Sequence, residues 1–157
     1  MTSVKNSFSL LTKPEPIWQA LTDFSRWGSY VVIRDARSKG WGDRWQAMDE
    51  PGRSMRLNVY DGTELMQEWS ASEWTPPNRL VVASNAWHGS PQVAMQSSLE
   101  FTLTPKTPAE TVVTIRFESR FTHPLLGFVL SFVPLKKEFS GVLERFEQGL
   151  IAALSGG

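Results

Sequence analysis

Between Tyr30 and Phe121 the sequence is cut into strand-length segments by turn signals too closely spaced for a helix to fit between them. Segments 30–38, 44–48, 55–60, 65–74, 80–86, 93–103 and 111–121 carry strand-like residues. Their separators are Lys39-Gly40, Glu50-Pro51-Gly52, Asp61-Gly62, Thr75-Pro76-Pro77-Asn78, Gly89-Ser90-Pro91 and the stretch 105–110. Parallel neighbours need a crossover of about a dozen residues or more, so strands joined this way pair antiparallel, as a meander. Asp61-Gly62 between two such segments predicts a tight hairpin. Residues 43–60 admit two readings, one long bulged strand or an additional hairpin around Glu50-Pro51-Gly52.

The last two segments show their faces most plainly. Val113, Ile115, Phe117, Ser119 and Phe121 alternate with Thr114, Arg116, Glu118 and Arg120, and Leu99, Phe101 and Leu103 alternate with Glu100, Thr102 and Thr104. One face is dry and the other wet. In 65–74, Gln67 and Glu68 fall on opposite faces, so one of them points inward unless a bulge intervenes.

Helical patterns bracket the strands. After an alternating stretch at 5–11, Ile17, Ala20, Leu21, Phe24 and Trp27 form one apolar stripe that ends at Gly28. Thr12 and Glu15 have capping-box spacing, and Pro14 and Pro16 are tolerated only in a first turn, which leaves Thr12 or Lys13 as the cap. Near the end, Phe139, Val142, Leu143, Phe146, Leu150 and Leu154 form a second stripe, with Gly149 inside it, where the missing side chain suits a close approach to the sheet. Pro134 separates this helix from residues 125–133, which are apolar all round and need a cover of protein, ligand or partner.

Composition removes several function classes. The 157 residues contain no cysteine, which excludes disulfides, thiolate nucleophiles and cysteine-ligated zinc. Sixteen basic and 16 acidic residues are intermixed, without the basic stripe of a nucleic-acid binder. No apolar run spans a bilayer and no signal-type segment opens the chain, so a cytoplasmic protein without stable membrane insertion is expected. A chain of this size forms one domain, 1–157, that buries roughly 70% of its unfolded surface without a metal or disulfide. Metal and cofactor motifs are absent: there is no H-E-x-x-H, no calcium loop and no phosphate loop, and Gly40-Trp41-Gly42 lacks the residues that would complete one.

The order strand, helix, antiparallel strands and long terminal helix resembles the START-like, or SRPBCC, superfamily, which includes polyketide cyclase/dehydrase-like and birch-pollen-allergen-like proteins. Pro14, Ile17, Trp18, Leu21, Thr22, Asp23 and Trp27 are similar to the family's opening pattern, and Glu73, Pro76, Pro77, Arg79 and Leu80 to its strand–turn–strand pattern. The terminal amphipathic helix is the third stretch. The resemblance implies an α+β helix-grip fold, a curved antiparallel sheet of about seven strands around the C-terminal helix. It also implies a cavity between them for lipids, sterols, polyketides, hormones or aromatic compounds.

Seven Trp and nine Phe form an aromatic load that either fills the core or walls a cavity. Trp27, Tyr30, Trp45, Trp69, Trp87, Phe117, Phe121, Phe128 and Phe132 are the wall candidates. Arg34, Arg56 and Glu68 lie inside strand segments and His88 follows one, so any that faces the interior serves a ligand or an acid–base step. His123 precedes Pro124, where a turn role fits it better. The leading expectation is binding or transport of a small hydrophobic or aromatic molecule by a monomer or homodimer. The alternatives are a cyclase/dehydratase-type enzyme using Arg56, Glu68 or His88, and a protein- or membrane-interaction module docking through 125–133.

Overall fold

A computed structural model of the chain describes residues 2–32, 42–88, 95–121 and 135–155. Strand β1 (Thr2–Leu10) leads into helix α1 (Pro14–Leu21), a 3-10 turn (Phe24–Arg26) and the one-turn helix α2 (Trp27–Tyr30). The meander follows as β2 (Arg44–Ala47), β3 (Arg56–Asp61), β4 (Glu64–Thr75), β5 (Arg79–Trp87), β6 (Met95–Thr107) and β7 (Glu110–Phe121), before the long helix α3 (Leu135–Ser155). The strands form one antiparallel sheet of seven, in the order β1-β7-β6-β5-β4-β3-β2. Helix α3 packs across β1 and β7 and against α1 and α2, so the curved sheet grips the helix in an α+β helix-grip fold. The open question at 43–60 resolves as a hairpin, with Arg44 to Ala47 pairing Tyr60 to Leu57.

Four local expectations change. The stripe read as one helix is three pieces. Trp18 O accepts both the backbone N–H of Thr22, at 2.9 Å, and its hydroxyl, at 2.8 Å, and the helix ends there. The cap is Lys13, with Pro14 in the first turn and no side-chain capping bond, so the capping box does not form. Tyr30 closes α2 rather than opening a strand, and 33–38 lie outside the described residues. In the β3–β4 hairpin Asp61 sits opposite Glu64, so the two loop residues are Gly62 and Thr63, with Gly62 at φ 62 as a mirror-image turn requires.

The core lies between the concave sheet face and α3. Phe139, Val142, Phe146 and Leu150 of α3 are almost wholly buried against Leu99, Phe101, Val113, Ile115 and Phe117. Burying each side chain of this size contributes about 1.5–3 kcal/mol. Phe117 and Phe139 stack with centroids 4.3 Å apart. Trp27 is the hub, with ring centroids 5.0–5.4 Å from Phe24, Trp45, Phe101 and Phe146.

Candidate functional site

The inward-facing residues are mostly apolar, with Asn6 of β1, which donates to Glu147 of α3, and buried Thr111 of β7 as exceptions, and polar residues recur on five strands near one end of the sheet. On β7 the inward series passes from Phe117 to Ser119, on β6 from Leu99 to Ser97, on β5 from Val82 to Ser84 and on β1 from Val4 to Thr2. Thr2 is the Cα partner of Ser119, and Ser119 of Ser97. Thr2, Ser119, Ser97 and Ser84 thus make a hydroxyl row across four adjacent strands. β4 continues the change, with Trp69 opposite Ser84 and then Gln67. Strands β5 and β7 end near this level, and β1 and β6 begin near it.

Side chains hold the row together where the ladder gives way. The β5–β6 pairing stops at Ala83 and Ser98. Beyond it the Ser97 backbone N–H donates to Ser84 Oγ at 2.8 Å, so a hydroxyl takes the place of a carbonyl. Ser97 Oγ and Ser119 Oγ are 2.8 Å apart and buried, and Gln67 Oε1 accepts the Trp69 indole N–H at 2.7 Å. Ser84 accepts its bond, and its own O–H has no acceptor among the described residues. A cleft of about 400 Å³ opens at this seam, lined by inward Ser84, Ser97 and Ser119 and by outward Ala83, Gln96, Ser98, Glu118 and Arg120.

The buried polar side chains among the described residues are Gln67, Ser97, Thr111 and Ser119, all neutral. Uncharged hydroxyls and an amide hydrogen-bond a carbonyl, hydroxyl or ether oxygen at modest desolvation cost. The charged groups beside them, Glu118 and Arg120, line the cleft from the outward face of the sheet.

The wall candidates divide. Trp27, Trp45, Trp69 and Phe117 are each at most 3% exposed and pack on one another or on α3, with Trp45 5.2 Å from Trp69 and Tyr30 4.8 Å from Phe146. They form a solid floor beneath the hydroxyl row. Trp87, opposite Gln67 at the end of β5, is half-buried against the core. Phe128 and Phe132 lie outside the described residues, as do the side chain of Phe121, Arg34, His123 and the segment 125–133.

The three acid–base candidates are on the solvent side. Arg56 has a 66% exposed side chain and binds Asp49 through Nε at 3.0 Å and Nη2 at 2.9 Å. Hydrogen bonds from that guanidinium hold the Asp49 carboxyl down to about 2, and the pairing raises Arg56. Glu68 faces outward because Gln67 takes the inward position, and its Oε2 pairs with His88 Nε2 at 2.7 Å on an exposed surface. Arg56, Glu68 and His88 therefore do not enter the interior.

Sequence reasoning passed over the hydroxyl row. Ser119 stands in the inward series read for the last strand, and Ser97 is two residues before Leu99. The signal is a serine at the same inward level in neighbouring strands, which needs the strand register to be seen.

The chain has the fold of the START-like superfamily. It belongs to the family described as activator of Hsp90 ATPase homolog 1-like protein, whose model matches residues 11–139. A START superfamily protein from Mycobacterium smegmatis superposes with a TM-score of 0.60 at 14% identity, over 94% of this chain and 93% of that one. Norcoclaurine synthase from Thalictrum flavum aligns at 0.58 and 10% identity, over 96% and 86%. An HSP90 activator from Plasmodium falciparum aligns at 0.51 and 12% identity, over 75% and 73%. No curated protein sequence matches this chain. Among the described residues no helix is long and apolar enough to cross a membrane.

Proposed function

We propose that this protein binds a small, largely apolar molecule at the end of its sheet that carries the hydroxyl row, with a neutral oxygen-bearing group of the ligand reaching that row. One observation carries the reading: Thr2, Ser119, Ser97 and Ser84 replace apolar residues at the same inward level on four adjacent strands. The aromatic floor offers the ligand's body a dry surface, worth about 25 cal/mol per Å² before association costs. Acid–base catalysis has less support, because Arg56, Glu68 and His88 face solvent.

Denaturing the purified protein and identifying released small molecules by mass spectrometry tests the proposal. The expected result is a stoichiometric amphipathic compound, or one captured from an added panel of hydroxylated aromatics and fatty alcohols. Failure to retain any member of such a panel would overturn it.

A second reading, action on a chaperone partner, is favoured by the family match over 11–139. It predicts stimulation of purified Hsp90 ATPase by this chain, and an unchanged ATPase rate would remove it.

A further inference from the structure

The cleft at the hydroxyl row is lined from both faces of the sheet, and charge enters it only from the outward one, through Glu118 and Arg120 of β7. Glu118 is ion-paired with Arg116, which does not line the cleft. Arg120 has no carboxylate partner among the described residues. It donates through Nε, at 2.9 Å, and through Nη2 to the single amide oxygen of Gln96 on β6. The chain segments that adjoin the cleft, 89–94 and 122–134, contain no aspartate or glutamate. The guanidinium charge is thus met by a neutral amide and by no anion of the adjoining chain.

The hydrogen-bonding capacity left in the cleft is one-sided. Gln96 spends its Oε1 on two bonds from Arg120, and its amide hydrogens have no acceptor among the described residues. Arg120 keeps both Nη1 hydrogens, and Ser84, whose oxygen accepts the Ser97 N–H, keeps its O–H. Three lining side chains therefore offer donors, while the one lining carboxylate is already held by Arg116.

We infer, on the reading that the hydroxyl row takes a neutral oxygen of the ligand, that the same ligand is an organic carboxylate, its acid group held by Arg120 and Gln96 on the outward side. A carboxylate brings two acceptor oxygens and no donor, so it matches this set, and its bonds to a guanidinium are charge-assisted. An ammonium group would meet like charge from Arg120. A neutral amide would present donors of its own to a set of donors.

Calorimetry on the whole chain compares 4-hydroxyphenylacetate and 3-(4-hydroxyphenyl)propanoate with the primary amide and the ammonium compound of each skeleton. All carry the phenol oxygen for the row and differ only in the group offered to Arg120. The carboxylates should bind about fivefold more tightly than their amides, a gain that shrinks at high salt, and the ammonium compounds most weakly. Arg120→Gln should remove that preference with the unfolding midpoint in place. Gln96→Glu should do the same, because it gives Arg120 a carboxylate of its own. Arg44→Gln, on the far edge strand β2, should keep the preference, which separates a site from overall charge. Equal affinity of acid and amide in the parent, or an unaltered preference in folded Arg120→Gln, would overturn the carboxylate and leave the hydroxyl row standing. Failure of every probe to bind would remove both.

Discussion

Trp27 buries its whole indole and still satisfies its one polar hydrogen, because Nε1 donates to the Leu21 carbonyl at 2.8 Å. That bond ties the hub of the core to the end of α1. Trp27→Ala should therefore cost about 3–5 kcal/mol, read as a lower urea midpoint with little change in slope. The role was half legible in the sequence: helical spacing marked Trp27 as buried, but an inward tryptophan has the same periodicity whether it fills a core or walls a space. Asp49 makes the opposite case, since nothing in its spacing announces a partner seven residues on. Its carboxyl, lowered from 3.8 to about 2, contributes stability that is fully present above the higher value and lost as pH falls through the lower one. A carboxyl-carbon NMR titration should find a midpoint near 2, and Arg56→Ala should bring it back toward 3.8.

At the scale of elements, α3 is seated by an absence. A Cβ built on Gly149 would lie 2.3 Å from the Tyr30 ring, so the helix meets α2, and not the sheet, at this glycine. Arg145 strengthens the same junction, donating to the Tyr30 carbonyl at 2.9 Å and the Val32 carbonyl at 2.7 Å. Gly149→Ala should destabilise the protein by about 1–3 kcal/mol despite the better helix propensity of alanine. Adding Tyr30→Leu should recover part of that loss, and a strictly additive double variant would deny the contact. The sequence reading placed the sheet against this gap, and the structure corrects it: the ring of Tyr30 from α2 fills it. The break after Leu21 was also hidden, because Phe24 and Trp27 continue the helical spacing across a chain that no longer follows it.

For the molecule as a whole, the strand meander and its antiparallel order were readable from turn spacing and the helices from two amphipathic stripes, while the grip of the sheet on the last helix came from the family resemblance. Those features depend on local residue order. The candidate site depends on register: Ser84, Ser97 and Ser119 are scattered over 36 positions and become one row only when β5, β6 and β7 are aligned. The interior then changes along the strands, from aromatic beneath α3 to hydroxyl-bearing at the level of the row. Replacing Ser97 and Ser119 together by alanine removes both members of the hydrogen-bonded pair, so the double variant should lose less stability than the sum of the two single variants, each of which strands the other hydroxyl.

The most direct measurement is calorimetric binding of two aromatic ligands that differ by one hydroxyl, to the parent protein and to the Ser97→Ala/Ser119→Ala variant. The hydroxyl row predicts that the parent prefers the hydroxylated ligand about tenfold, equivalent to ~1.4 kcal/mol, and that the variant binds the two alike. An equal preference in both proteins, or no binding of either ligand by the parent, would contradict it.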